Sequence, residues 1–284
     1  MEPLFPPFDP DEKPARHPRV KQLRQIPIRL ILPNLVTLLA LCAGLTALRM
    51  TIEGRFPLAI TAIVIAAVLD GIDGRIARLL RSTSRFGAEL DSLTDFVNFG
   101  VAPALLLFVW ALDETRSLGW IAALVFAICA ALRLARFNVA LDNPDKPAWQ
   151  ANFFVGVPAP AGALIVLLPV YLEQIGVPHG PWTAPVVLVY TVAIGLLMVS
   201  RVPTFSGKKL GARVARELVL PLLLAAVVLT ALLLSYPFEV LTGVALLYVA
   251  ALPIGWRTAR RLSAAHEAAV LARAGAREAA EGRD

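Results

Sequence analysis

Four aspartates interrupt two long apolar stretches of the sequence. Asp70 and Asp73 lie near the end of one stretch, and Asp91 and Asp95 lie near the start of the next. Separations of three and four residues place each pair on one face of a helix. An aspartate costs about 2.5–3.5 kcal/mol at the centre of a bilayer, and four carboxylates brought together also repel one another. A divalent cation would answer both problems, so the pattern predicts a metal site.

The residue types around these aspartates narrow down the cation and its partner. All four candidate ligands are oxygen donors with no His or Cys nearby, which favours Mg²⁺, Mn²⁺ or Ca²⁺ over zinc or copper. Mg²⁺ also tends to share its coordination shell with substrate phosphates. Nearby glycines would let a large ligand approach the helix backbone, and nearby arginines add positive charge. These residues are Gly71, Gly74, Gly87, Arg75, Arg78, Arg81 and Arg85. Together they predict a pyrophosphate site at the boundary between membrane and cytoplasm.

Two other interpretations of the aspartates stay open. A membrane aspartate can simply hydrogen-bond a neighbouring helix or extend towards the surface, although two spaced pairs make this less favoured. Carboxylates can also line an ion path, so a cation or proton transporter is a second functional class.

The elements that carry the aspartates are long and apolar. Of the 284 residues, 57% are hydrophobic and only 17% are charged, and the mean hydropathy is +0.69. A typical soluble domain has about 25% charged residues. The apolar stretches are about 18–24 residues long, enough to cross a hydrocarbon core of roughly 30 Å. They cover about 33–50, 57–80, 89–112, 117–141, 156–175, 183–200, 217–235 and 237–256. The pattern predicts an all-α, polytopic membrane bundle with about eight transmembrane helices.

The basic residues predict the orientation of the chain. The net charge is +6, and 24 of the 27 Lys and Arg residues share one side if both termini and the segments after the second, fourth and sixth stretches lie together. The positive-inside rule assigns that side to the cytoplasm. Because these residues flank apolar stretches, they predict contacts with anionic lipid and not with nucleic acid. We expect a multi-pass protein of the cell (inner) membrane, with the aspartates and both termini on the cytoplasmic side.

The aspartates belong to a longer signature, D-x-x-D-G-x-x-A-R-x8-G-x3-D-x3-D. It is formed by Asp70, Asp73, Gly74, Ala77, Arg78, Gly87, Asp91 and Asp95. This signature resembles that of the CDP-alcohol phosphatidyltransferases. The resemblance implies a six-helix catalytic core, a homodimer, and a polar cavity that opens to the cytoplasm. On that basis we divide the chain into an N-terminal segment (1–30), the core (31–200), a loop with two additional transmembrane helices (201–256) and a C-terminal tail (257–284).

The resemblance also implies roles for individual residues. Asp70, Asp73, Asp91 and Asp95 would hold Mg²⁺ or Mn²⁺, as one ion or two. The CDP moiety would contact Gly74, Ala77 and Arg78, and further family positions are matched by Asn34, Thr37 and Ser84. For Asn34 and Thr37, helix-start chemistry after Pro33 is an equal alternative.

Three further stretches resemble the membrane-type bacterial members that use serine as the acceptor. They are FVNFGVAPA (96–104), CAALRLARFNV (129–139) and FFVGVPAPAGA (153–163), although the first is often written with Ser where this chain has Asn98. The resemblance implies attack of the L-serine hydroxyl on CDP-diacylglycerol, which gives phosphatidylserine and CMP, with Asp95 as the general base.

The residues that would hold the acceptor are less specific. Arg133 and Arg136 share a helix face and could bind a carboxylate, with polar contacts from Asn98 and Asn138; lipid head groups are the alternative partner of the arginines. Glycerol phosphate, inositol phosphate or choline are alternative acceptors, and a phosphorylated one could use the basic cluster Lys208, Lys209 and Arg213. The histidines are predicted to lie in tails or loops without partners and to have no catalytic role: His17, His179 and His266.

Overall fold

A computed structural model of the chain describes residues 28–80, 84–141, 153–200, 203–205 and 216–253. The predicted tails therefore lie almost wholly outside the described residues, as do Arg81, the basic cluster at 208–213, His17 and His266. The helices are α1 (Ile28–Ile52), α2 (Phe56–Leu79), α3 (Arg85–Asp95), α4 (Ala102–Trp110), α5 (Ser117–Leu141), α6 (Ala159–Val166), α7 (Leu168–Gln174), α8 (Thr183–Val199), α9 (Arg216–Ser235) and α10 (Pro237–Pro253). The predicted all-α class is confirmed.

Short elements connect some of these helices. A π-helical turn at Phe96–Val101 joins α3 to α4, and a 3-10 turn at Leu112–Thr115 precedes α5. Two strands, β1 (Phe153–Val155) and β2 (Pro203–Phe205), form an antiparallel ribbon between the segment that follows α5 and the segment that follows α8. Strands of three residues are too short to show a recognisable period in the sequence, and the ribbon was not predicted.

Four helical segments are long and apolar enough to cross a membrane: Ile31–Ile52, Phe56–Leu79, Arg85–Trp110 and Ser117–Val139. α9 and α10 meet this standard only together, and the chain bends by 120° between them. α8 is apolar but has 17 residues. The protein is thus a multi-pass membrane protein, whereas the predicted count of eight spans is not confirmed.

The fifth predicted span is broken between α6 and α7, at Leu167. Pro169 has no N–H to offer to the carbonyl of Ile165, four residues before it. The Tyr190 hydroxyl of α8 donates a hydrogen bond of 2.8 Å to that carbonyl instead. A side chain from a neighbouring helix therefore satisfies the backbone where the helix is interrupted, as an apolar environment requires.

α1 packs along α2 through small residues. Ala40 and Ala47 of α1, and Ala59, Ala62 and Ala66 of α2, are all buried. Small side chains let helices approach closely in a membrane, where burial from water does not drive association. α1 also contacts α3 and the π-helical turn, so both aspartate-bearing segments lie against the same helix.

Candidate functional site

α2 and α3 bring three of the four aspartates together. Carboxylate oxygens of Asp70, Asp91 and Asp95, each partly buried, lie within 4.8 Å of one another. Asp91 and Asp95 are four residues apart on α3, so both face Asp70 of α2. We call these three residues the aspartate triad.

Asp73 lies close to α1 and has a partner of its own. Asp73 is 4% exposed, and its Oδ2 accepts a hydrogen bond of 2.7 Å from the Thr37 hydroxyl. The same hydroxyl lies 3.1 Å from the Pro33 carbonyl one turn earlier in α1. Asp73 is not among the residues whose oxygens converge, and its role as a fourth metal ligand stays a prediction.

Within the described ranges the triad has no salt-bridge partner, although Arg133 is close enough to Asp95 to interact with it electrostatically. In the described ranges, no Lys, Arg or His nitrogen forms an ion pair with its carboxylates within 4.0 Å. Asp95 Oδ1 is buried and has no hydrogen-bond partner in that part of the chain. Three carboxylates at this separation repel one another, and a divalent cation with oxygen ligands relieves that repulsion. The donor set therefore fits Mg²⁺ or Mn²⁺.

The helix changes its geometry directly after Asp95. In the turn Phe96–Val101 the backbone bonds run from residue i to i+5, an arrangement that is often found at functional sites. Gly100 lies within the turn, and a Cβ there would come within 3.1 Å of the Ala130 side chain of α5. The turn was not predicted, because no periodic pattern distinguishes a single π turn from the α-helix around it.

The two arginines predicted to bind the acceptor make different contacts. Arg133 is 8% exposed, its guanidinium carbon lies 5.4 Å from the centre of the Phe137 ring, and it is close enough to Asp95 to interact electrostatically. Arg136 donates hydrogen bonds to backbone carbonyls at the end of α8, including that of Val199 at 2.7 Å. Arg133 is thus directed towards the triad, while Arg136 holds the end of a helix.

The two asparagines predicted for the acceptor also differ. Asn138 Nδ2 donates a hydrogen bond of 2.8 Å to the Ser92 hydroxyl, which ties α5 to α3 beside Asp91. Asn98 is fully buried, and its Nδ2 donates to the Ala40 carbonyl of α1 at 3.1 Å. Contact of either residue with serine stays a prediction.

Asn34 and Ser84, two of the residues predicted for the CDP side, meet beside Gly87, where α1 reaches the start of α3. Ser84 is the N-cap of α3, and its hydroxyl accepts a hydrogen bond of 3.0 Å from the Gly87 N–H. A Cβ at Gly87 would lie 3.0 Å from Asn34 Oδ1 and 3.1 Å from Ser84 Oγ. The second glycine of the signature therefore leaves room for these two side chains.

The first glycine of the signature faces a more open surface. Among the described atoms, only Arg78 Nη1 would come within 4 Å of a Cβ at Gly74, at 3.8 Å. Ala77 is partly buried and Arg78 is exposed. Space beside Gly74 is what a bound nucleotide would need, and the assignment of these three residues to CDP stays a prediction.

A second polar group, which the sequence did not predict, lies at the other end of the α3–α4 run. Trp110 Nε1–H donates to Glu173 Oε2 at 2.5 Å. His179 lies 3.5 Å from Glu173 and 3.4 Å from Glu114, so the expectation that it has no partner is wrong. We call these four residues the outer group. Trp110, Glu173 and His179 line a mainly apolar cavity of about 270 Å³. Glu173 follows Trp110 by 63 residues in the sequence, so no local spacing could have indicated the whole group.

Comparison with protein families gives two matches in this chain. The family model for CDP-alcohol phosphatidyltransferase matches residues 30–199, which include every residue of the triad and of the signature. A second model, CDP-alcohol phosphatidyltransferase 2, matches residues 217–253, which include α10 and most of α9.

Curated relatives share the name CDP-diacylglycerol–serine O-phosphatidyltransferase. The protein from Mycobacterium leprae is 47% identical over 175 residues, which are 61% of this chain and 57% of that relative. The protein from Helicobacter pylori is 36% identical over 181 residues, 63% of this chain and 74% of the relative. The Bacillus subtilis protein is 36% identical over 138 residues, 48% of this chain and 74% of the relative. The matched region thus spans somewhat more than half the length of the mycobacterial relatives.

Proposed function

Because this chain belongs to the CDP-alcohol phosphatidyltransferase family, we propose that it transfers the phosphatidyl group of CDP-diacylglycerol to the hydroxyl of L-serine and releases CMP. The observation that carries this proposal is the aspartate triad, whose three converging carboxylates form no ion pair with a described cation. The names of the curated relatives support serine as the acceptor.

In the proposed reaction one bond forms and one breaks at phosphorus. The serine hydroxyl oxygen bonds to the phosphorus that carries diacylglycerol, and the bond from this phosphorus to the CMP oxygen breaks, so CMP leaves with the electron pair. Asp95 Oδ1 accepts the hydroxyl proton. Its burial without a described partner supports this role, because a general base needs a free lone pair beside the proton that it takes.

The triad would hold the divalent ions, one or two of Mg²⁺ or Mn²⁺, and we propose that Asp73 joins it. When bound, such a cation neutralises charge on the phosphoryl oxygens. Thr37 orients Asp73 through the 2.7 Å hydrogen bond to Oδ2. That contact supports a role for Thr37 behind the ligands, because partners of metal ligands fix their orientation.

The CDP part of the lipid substrate and the serine acceptor would lie on different sides of the triad. We propose that CDP lies along the α2 face of Gly74, Ala77 and Arg78, near Asn34 and Ser84. Of the residues predicted for serine, Arg133 is best supported. It is buried and within electrostatic range of Asp95, and a guanidinium can bind a carboxylate through two parallel hydrogen bonds.

The proposed setting of the reaction rests on the sequence pattern for the orientation and on the family resemblance for the homodimer. We propose a homodimer in the inner membrane, with both termini and the triad on the cytoplasmic side, where a water-soluble acceptor and CMP can exchange. The excess of Lys and Arg on that side supports the orientation.

The test is incorporation of radiolabelled serine by the purified full-length protein in mixed micelles with CDP-diacylglycerol and Mn²⁺ or Mg²⁺. We expect label in lipid together with release of CMP, both abolished by a chelator. Asp95→Asn should lower the rate by about 100- to 10,000-fold, the usual contribution of a general base. The matched control is Asp113→Asn, the same change at an exposed aspartate in the 3-10 turn, which should keep wild-type activity.

The alternative hypotheses give different results in the same assay. CMP released with glycerol phosphate, inositol phosphate or choline, but not with serine, would keep the family chemistry and overturn the acceptor. No CMP with any alcohol would overturn the proposed function, and ion flux in vesicles without CDP-diacylglycerol would then favour a transporter.

A further inference from the structure

The side-chain amide of Asn98 occupies a notch on α1. Asn98 is fully buried, and its Nδ2 donates a hydrogen bond of 3.1 Å to the Ala40 carbonyl, 58 residues earlier in the chain. A Cβ built on Gly44 would overlap Asn98 Oδ1 and would lie 2.7 Å from Asn98 Cγ. Gly44 therefore leaves the space that the amide fills.

The position of this notch follows from helix geometry. In an α-helix the Ala40 carbonyl already accepts the N–H of residue 44, so Asn98 uses its second lone pair. A side chain at position 44 would stand beside that carbonyl and block the approach. Glycine at 44 and asparagine at 98 are thus complementary in shape, and the amide nitrogen of Asn98 bonds to the Ala40 carbonyl, while its Oδ1 has no hydrogen-bond partner among the described residues.

The contact lies close to the proposed general base. Asn98 is three residues after Asp95, within the π-helical turn that starts at Phe96. One turn before Ala40 on α1, Thr37 holds Asp73 of α2. Thr37 of α1 therefore contacts α2, which carries Asp70 and Asp73. Asn98 of the π turn contacts α1 directly after α3, which carries Asp91 and Asp95.

We infer that Asn98 and Gly44 form a positioning contact that fixes Asp95 relative to the rest of the triad by holding the π turn on α1. Its effect on activity rests on the proposed function. The role differs from contact with the acceptor, because the Asn98 side chain is enclosed between α1 and the π turn.

The first experiment tests whether a smaller side chain at position 98 compensates for a larger one at position 44. Gly44→Ala forces the π turn away from α1 and should lower kcat by about 100-fold, the cost of a displacement of about 1 Å at a catalytic group. Adding Asn98→Ser to the same chain removes the overlapping amide and should restore kcat at least tenfold over Gly44→Ala alone. Gly243→Ala is the matched control: it lies in α10, where no described atom comes within 4 Å of a new Cβ, and it should change kcat less than twofold.

A second readout does not depend on turnover. Mn²⁺ binding to the detergent-solubilised protein, followed by electron paramagnetic resonance, should weaken about tenfold in Gly44→Ala, in line with other residues that orient metal ligands. The double variant should recover this affinity, and Gly243→Ala should bind as the wild type does. If the wild-type protein releases no CMP with any alcohol, the proposed function fails, and these titrations alone decide the positioning inference.

Several results would overturn the inference. One is that Gly44→Ala and Gly243→Ala have the same kcat and the same Mn²⁺ affinity. Another is that the double variant has neither a higher kcat nor a higher Mn²⁺ affinity than Gly44→Ala alone. Should Gly44→Ala not fold, Asn98→Ala decides, because it removes the hydrogen bond without adding volume. A tenfold lower kcat at unchanged KM for serine supports positioning, whereas a raised KM at unchanged kcat identifies Asn98 as an acceptor contact and contradicts it.

Discussion

The two acidic groups of this protein lie apart along one helical run, Arg85–Trp110, and are built differently. The aspartate triad includes Asp95, and the outer group includes Trp110, about 22 Å further along at 1.5 Å per residue. In the outer group each glutamate is within 3.5 Å of a His179 nitrogen, and Glu173 also accepts a hydrogen bond from the indole. In the triad the three carboxylates face one another, with no described cation within 4.0 Å.

The difference separates carboxylates that stabilise the fold from carboxylates kept for a ligand. Acidic side chains that have hydrogen-bond partners inside the protein stabilise the fold, and loss of such a contact lowers stability. Unpaired groups held close together destabilise the free protein, which is tolerated at sites where function requires it. Substitutions in the triad should therefore reduce activity and raise stability, whereas substitutions in the outer group should lower stability and leave activity nearly unchanged.

Among the substitutions that test this difference between the two groups, the largest effect is expected at Asp91. Asp91→Asn should lower phosphatidyl transfer by on the order of 100-fold or more, because it removes a negative ligand from the site where charge is neutralised. In the presence of a chelator the same variant should have a higher apparent melting temperature in detergent than the wild type, because one repulsive charge is gone. Activity and thermal melting of the same preparation check both parts.

The control for this prediction is Asp113→Asn, which should match the wild type in both measurements. Loss of activity together with a lower melting temperature would mean that Asp91 supports the fold, and the contrast with the outer group would fail.

Metal binding should stabilise the protein through the triad alone. At a free Mn²⁺ concentration of 100 times Kd, the free energy of unfolding should rise by about 2.7 kcal/mol. Asp91→Asn should lose most of this increase, whereas Glu173→Gln should keep it. Melting curves with and without Mn²⁺ measure the increase, and an equal Mn²⁺ response in Asp91→Asn and the wild type would locate the ion elsewhere.

Thr37 tests whether Asp73 belongs functionally with the triad. Thr37→Val preserves the shape of the side chain but removes the hydrogen bond to Asp73, and it should lower activity about tenfold, as loss of a group that orients a ligand does. Thr61→Val is the matched control, because Thr61 Oγ1 donates only to the Pro57 carbonyl four residues earlier, as far as the described contacts go. Equal activity in the two variants would assign the Thr37 hydroxyl to the backbone of α1 alone.

The chemistry of the triad could be predicted from the sequence because it rests on local spacing. Asp91 and Asp95 are one helical turn apart, and that separation alone places them on one face. The contact of this face with Asp70 was not visible in any period. It was expected because one cation would neutralise both pairs of aspartates, and because the signature resembles that of a known family.

Other features depend on contacts between distant parts of the chain. The Thr37–Asp73 hydrogen bond joins residues 36 apart, and the Asn98–Ala40 bond joins residues 58 apart. No hydropathy pattern records such a pair. The interruption of the fifth predicted span did have a local signal in Pro169, which removes a helical hydrogen bond, and the number of spans was predicted without using it.

The smallest effects are expected in the outer group. Glu173→Gln keeps the size of the side chain but removes the charge that faces the Trp110 indole and His179. It should lower the free energy of unfolding by about 1 kcal/mol, less than the roughly 1.5–3 kcal/mol of a charged hydrogen bond, because this side chain is 32% exposed. Serine transfer should change less than twofold, because the group lies at the far end of the helical run from the triad. Thermal melting in detergent and the transfer assay measure the two quantities.

Glu114→Gln tests whether a more exposed glutamate of the outer group contributes less to stability than Glu173 does. Glu114 makes one of the contacts with His179 and its side chain is more exposed than that of Glu173, 54% against 32%. Since solvent weakens an exposed polar contact, this variant should shift the melting temperature less than Glu173→Gln does. An equal or larger shift would mean that the contact of Glu114 with His179 stabilises the outer group at least as much as the contacts of Glu173 do. A loss of transfer activity in either variant would mean that the two ends are coupled through the α3–α4 run, and the division between a stabilising and a ligand-binding acidic group would then not hold.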